Sequence, residues 1–120
     1  MTIVAFTVPG LPVPKKRPKV TTVNGYARAY TPKETKEYER DVSWTAKANC
    51  KRKFEGLVVV TLRFFGVEAD WDNLAKAVCD GMNGIVYNDD RQIVEAHVYV
   101  TRRAHPARVE VEVRPIAEAS

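Results

Sequence analysis

Apolar and polar positions alternate from Ile3 to Val8 and stop at Pro9-Gly10, which predicts a short half-buried strand. No apolar period follows as far as Tyr30, so this Pro-, Lys- and Arg-rich stretch reads as a long loop. Thr31-Pro32-Lys33-Glu34 then has the form of a helix start, with Thr31 as cap and Glu34 closing a capping box, and the helix should reach about Lys51. Its core stripe is narrow: Tyr38, Val42, Thr45, Ala46 and Asn49. Leu57 to Phe65 is β-branched and apolar at nearly every position, the mark of a central strand covered on both sides. A second helix is predicted from about Asn73 to Met82. At roughly 100° per residue, Leu74, Ala77, Val78, Gly81, Met82 and Ile85 gather on one side of it. Ile93 to Thr101 and Arg108 to Arg114 follow as strands, expected to form a hairpin turned at Ala104 to Pro106, with Val109, Val111 and Val113 facing inward. The order β-α-β-α-β-β implies one α+β domain over residues 1–120, with a mixed sheet and two helices.

Composition changes this picture little. The chain has 120 residues and ordinary apolar and charged content, which excludes disordered and collagen-like classes. There is no run long enough for a membrane span and no signal-peptide pattern, so no membrane partner is expected. Cys50 and Cys79 read as isolated thilos of a reduced, cytoplasmic setting rather than a disulfide framework, and His97 and His105 as structural or surface residues.

Charge distribution changes it more. From Met1 to Phe65, 13 Lys and Arg stand against five acids; from Gly66 to Ala96, seven acids stand against two bases. A basic region attracts phosphates, and an adjoining acidic pocket can hold the metal that acts on one of them. Lys15, Lys16, Arg17, Lys19 and Arg28, with Tyr26 and Tyr30 nearby, suit contacts to a nucleic-acid backbone; a solvated basic loop is the plain alternative. Lys33, Lys36, Arg40, Lys47 and Lys51 form a basic face on the first helix, and Trp44 lies off its core stripe, suited to a partner subunit or to DNA.

The chemistry concentrates between Asp70 and Asp90. If Asp70 to Asp72 is extended, both carboxylates share a face and Asp72 caps the second helix. Asp72, Lys76 and Asp80 then recur at four-residue spacing opposite the core, and Asp80 reads as the ion-pair partner of Lys76, dispensable for activity. Crowded like charges suggest a bound cation. With no cysteine pair or histidine cluster nearby, carboxylate oxygens suit Mg²⁺, or Mn²⁺ in its place, better than zinc. Residue chemistry alone leads to metal-dependent phosphotransfer on a polyanion. It leaves open a small-nucleotide phosphohydrolase and a non-catalytic DNA-binding protein with a structural ion.

The pattern Asp70-x-Asp72-Asn73-Leu74-x-Lys76, then Asp80, then Tyr87-x-Asp89-Asp90-x-Gln92-Ile93, resembles the RusA-type Holliday-junction resolvases. The Pro9-Gly10-Leu11-Pro12-Val13-Pro14-Lys15-Lys16-Arg17-Pro18 opening is similar to that family's as well, and the likeness covers nearly the whole chain. The resemblance implies an endodeoxyribonuclease that resolves four-way DNA junctions by paired symmetric cuts. It implies that Asp70, Asp72 and Asp90 are the metal-binding catalytic carboxylates, and that Lys76 is also catalytic. It further implies a homodimer acting on branched DNA, common in phages and prophages. Gly81 departs from the alanine more usual in the family and is expected to loosen the helix end.

Overall fold

A computed structural model describes residues 3–16, 19–30 and 32–116. Its main sheet has four strands: β1 (Val4–Pro9), β4 (Val58–Phe65), β5 (Ile93–Thr101) and β6 (Arg108–Pro115). They are ordered β1-β6-β4-β5, with β5 parallel to β4 and the other pairs antiparallel. The sheet is therefore mixed, and together with helices α1 (Lys33–Asn49) and α2 (Trp71–Met82) it makes the expected α+β fold.

Strand β4 takes an interior place because five of its eight residues are apolar and buried, and only Arg63 is exposed. Val58, Val59, Val60, Leu62 and Phe64 are all buried. The core lies between one face of the sheet and the two helices. Val4, Phe6 and Val8 of β1, Val109, Val111 and Val113 of β6, and alternate residues of β4 pack there against Tyr38, Val42 and Ala46 of α1 and Leu74, Val78 and Met82 of α2.

Three expectations require correction. The stretch before α1 is not all loop: β2 (Lys19–Val23) and β3 (Tyr26–Tyr30) pair as a separate antiparallel hairpin. Asn24 (φ 52°) and Gly25 (φ 80°) turn it with positive φ at both positions, the geometry whose twist suits a two-residue connection. The element order is thus β-β-β-α-β-α-β-β, with a single 3₁₀ turn ahead of β5. The last two strands do not form a hairpin either. Strand β4 lies between them, because pairing β5 directly with β6 would have left this largely buried strand at an edge. Finally, α1 starts with Pro32 at the N-cap and no side-chain hydrogen bond there; Thr31 lies outside the described residues. The helix ends at Asn49, with Cys50 as its C-cap, and its stripe is Thr35, Tyr38, Val42 and Ala46. Thr45 and Asn49 lie away from the core, donating to the carbonyls of Asp41 and Thr45 respectively.

On α2 the expected core face is reproduced at Leu74, Ala77, Val78, Gly81 and Met82. Gly81 tightens the fold rather than loosening it. It sits where α1 and α2 cross, and the Ser43 hydroxyl donates to its carbonyl at 2.6 Å. A Cβ at this position would lie 2.8 Å from the side chain of Val42 and 3.0 Å from the Glu39 carbonyl oxygen. Gly81→Ala should therefore cost more in overpacking, about 2 kcal/mol, than the roughly 1 kcal/mol it gains in helix propensity. A melting temperature lowered by roughly 4 °C is expected, with Val42→Ala in the same chain restoring part of the loss. Thermal unfolding of the three variants checks this.

Candidate active site

Helix α2 begins one acid earlier than the sequence suggests. Asp70 is the N-cap, with extended backbone (φ −64°, ψ 130°), and Asp72 lies within the first turn. The shared extended face expected for the two carboxylates is therefore absent, because Trp71 already belongs to the helix. The Asp70 side chain does not cap, and among the described residues it has no hydrogen bond or ion pair. Asp72 is exposed, and its Oδ1 accepts only the amide of Asn73 at 2.9 Å. Both acids stand at the amino end of α2.

Asp90 is delivered by the turn after α2. Tyr87, fully buried, donates its hydroxyl to the Cys79 carbonyl at 2.8 Å and so fixes that turn to the helix. Burial pushes both its phenol and the Cys79 thiol well up, the thiol to about 11. A 3₁₀ turn, η1 (Asp90–Gln92), follows with a capping box: Asp89 Oδ1 accepts the Arg91 amide at 3.0 Å, and Gln92 Oε1 accepts the Asp89 amide at 3.1 Å. The Arg91 amide also holds the Asp89 carboxyl below its ordinary range. Gln92 further accepts from Asn88 and donates to the carbonyls of Phe54 and Gly56, each at 2.8 Å. The two adjacent acids thus divide their work. Asp89 is consumed as a cap, while Asp90 is left facing Lys76, its Oδ2 3.5 Å from the ammonium. The signal for this was present in the sequence as Asp89-x-x-Gln92, a capping-box spacing that the charge pattern obscured.

Around Asp80 the acids are neutralised by lysines. Lys76 Nζ lies 3.2 Å from Asp80, the expected i,i+4 pair. The sequence gave no hint of the second partner: Lys15 Nζ lies 3.2 Å from the other Asp80 oxygen and 2.6 Å from Glu39. The Lys15 amide also donates to the Asn73 carbonyl at 2.8 Å, which binds the proline-rich loop to α2. A continuous series Glu39–Lys15–Asp80–Lys76–Asp90 results. Asp80 raises the Lys76 pKa by hydrogen bond and charge, which keeps that ammonium protonated.

Of the five residues expected to meet DNA, Lys15 is thus turned inward. Lys16 is exposed and 3.0 Å from Glu34. Lys19 and Arg28 have their backbone on β2 and β3; their side chains, like Arg17, lie outside the described residues. Lys15 and Lys16 form one wall of an open groove of about 650 Å³ whose floor includes Asp70 and Asp72. Trp44 is exposed, with the Lys47 ammonium 5.8 Å from its ring centre.

The donor set fits a hard divalent ion. It is all carboxylate oxygen, Asp70 has no partner to surrender, and the lone ion pair of Asp90 is a long one. As they stand, no three acidic, cysteine or histidine groups among the described residues are gathered at metal-ligating spacing.

Acids at a helix end stand in a groove bordered by lysines on a small α+β scaffold. The comparison with known families makes the class specific. The family described as Endodeoxyribonuclease RusA matches residues 9–114, and the chain belongs to that family. It is also similar to the uncharacterised protein YqaN of Bacillus subtilis (strain 168), 28% identical over 147 residues that span 98% of this chain and 99% of that protein.

Lys15 generates the stability prediction here. Its side chain and those of Glu39 and Asp80 are each less than a quarter exposed, so this pair of contacts is screened less than a surface ion pair. Lys15→Met should destabilise by roughly 1–2 kcal/mol. Burial lowers the Lys15 pKa, but Glu39 and Asp80 outweigh it, and the folded value lies above the ordinary 10.5. A raised pKa means stabilisation that is complete below 10.5 and lost as pH rises through the folded value. Urea unfolding of wild type and variant should show a constant gap through neutral pH that closes only in strong alkali.

Proposed function

We propose that this protein is a Mg²⁺-dependent endodeoxyribonuclease that resolves four-way DNA junctions by paired symmetric cuts, with Asp70, Asp72 and Asp90 as its metal-binding catalytic carboxylates. Membership of the RusA family supports the endonuclease activity. The observation that carries the site is the unpartnered Asp70 carboxylate, next to Asp72 at the start of α2 and facing a groove bordered by lysines. Asp70, Asp72 and Asp90 would hold the divalent ion, Mg²⁺ or Mn²⁺ in its place, which would supply Lewis-acid activation of water and charge neutralisation at the phosphate.

The chain's own groups do the remainder. Lys76, half exposed and held between Asp80 and Asp90, presents a protonated ammonium to the negative charge that develops on the phosphoryl oxygens. Lys16 stands on the rim of the groove as a phosphate contact, and Arg17, Lys19 and Arg28 belong to the same basic segment. Lys15 serves by holding Asp80, so that Lys76 is aimed by a fixed acid rather than a free one. A four-way junction has approximate twofold symmetry while the chain has one such site. A homodimer with a twofold axis supplies the second cut.

Asp70→Asn and Asp90→Asn should each reduce junction cleavage in Mg²⁺ to background, as should EDTA on the wild type, because an amide oxygen is a far weaker ligand than a carboxylate. Junction binding should be unchanged or slightly tighter, since an acid near the phosphates has been neutralised. Gel assays with four-way junction, flap and linear duplex measure both quantities. Near wild-type cleavage by Asp90→Asn would remove that residue from the site.

Light scattering at assay concentration should give twice the chain mass of 13.5 kDa. A monomer that still makes paired cuts would rule out the homodimer.

A further inference from the structure

Asp70 divides two grooves. Lys15 and Lys16 border the larger one; across Ala69 and Asp70, which both grooves share, lies a second of about 380 Å³ formed by Trp71, Val98, Val100 and Arg102. Trp71 is 61% exposed, although Leu74 and Val78 on the same helix are completely buried. The exposed indole stands one residue from a candidate catalytic acid and lines the same groove as Arg102. Among the described residues Arg102 forms no ion pair, hydrogen bond or ring contact, so its guanidinium is uncommitted.

The geometry points to the Trp71–Arg102 groove as a nucleobase subsite: an unpaired base of the DNA strand crossing Asp70 stacks on the indole, and its phosphate pairs with Arg102. This inference rests on the junction-nuclease reading and gives it a source of selectivity. Every base has a π-face, so stacking tolerates any sequence, while the guanidinium recognises the backbone. Val98 and Val100 offer an apolar wall to the ring edge. Charge complementarity favours this occupant over an apolar peptide, which would leave Arg102 unanswered. With cations on both sides of Asp70, a single strand can run from the Lys16 groove into this one without meeting acids alone. A linear duplex keeps its base faces stacked, whereas a branch point can expose one.

The test uses the Trp44→Phe protein, which retains Trp71 as its one tryptophan. Emission is followed in EDTA as four-way junction, single-stranded oligonucleotide or linear duplex is added, with binding read separately by anisotropy of labelled DNA. Junction and single strand should quench Trp71, and fully bound duplex should not. Trp71→Ala should weaken junction binding about tenfold while leaving duplex binding unchanged, and Trp71→Phe should retain most of the affinity. Arg102→Ala should make the salt dependence shallower by about one ion. Saturated junction binding with Trp71 emission unmoved overturns the subsite alone. So does a Trp71→Ala protein that binds DNA normally but sediments at a lower mass, which would assign this face to a second copy of the chain. Absence of binding to any DNA overturns the nuclease reading and the subsite together.

Discussion

Val58, Val60, Leu62 and Phe64 give strand β4 one wholly buried face, and the rest of the molecule follows from hiding it. A strand this apolar needs a neighbour at each edge and cover over its buried face. Strands β5 and β6 supply the edges, and the helices cover one face. The opposite face carries Thr61 and Arg63 among the polar side chains of Thr7, Glu110 and Glu112. The order of the sheet is therefore a solution to burial rather than to chain proximity. It brings the start of α2, which follows β4 after a short connection, beside β5, whose Val98 and Val100 form the wall next to Trp71. The position of the candidate site thus follows from a hydrophobic requirement met in the sheet.

The electrostatic requirement is separate, and long-range contacts meet it. Seven acids between Gly66 and Ala96 face two local bases, an imbalance that the segment cannot correct by itself. The correction comes from Lys15, brought by the proline-rich loop to lie between Glu39 and Asp80. Its effect is selective. Asp80 receives two ammonium groups and Asp90 a more distant one, while among the described residues Asp70 and Asp72 receive none. Crowded carboxylates suggested a cation, and part of that demand is met by the chain's own lysines. At the start of α2 that demand is left unmet among the described residues.

Elements whose signal is local and hydrophobic were legible before any coordinates. The interior strand, the buried face of α2 and the inward valines of β6 follow from residue type and period alone. The β2–β3 hairpin was missed because its strands lack a clear apolar alternation in sequence and their clearest mark is the Asn24-Gly25 turn. The pairing of β5 and β6 was misjudged because adjacency in the chain competes with the demand of β4, and period alone does not weigh the two. For the site, the residue types and the Lys76–Asp80 pair were readable from spacing. Lys15 was not, since a contact between residues 15 and 80 leaves no periodic trace and the lysine looks like any other member of a basic run.

Asp89 and Asp90 show how backbone hydrogen bonding decides which of two identical neighbours is available for chemistry. Their side chains are the same, and no composition argument separates them. What separates them is the need of η1 for a cap. A tight turn leaves amides at its start without partners, and a carboxylate is a strong acceptor for them. Asp89 meets that need, supported by a glutamine whose amide bonds to four backbone groups on both sides of the turn. Asp90, one position further on, is rotated away from those amides and toward Lys76. The structural acid thus fixes the orientation of the other, and the pair works as an anchor and a projecting group. The same division recurs at α2 with the roles inverted. There the N-cap residue Asp70 leaves its amides uncapped and keeps its carboxylate free, which gives up local stability in exchange for an available ligand.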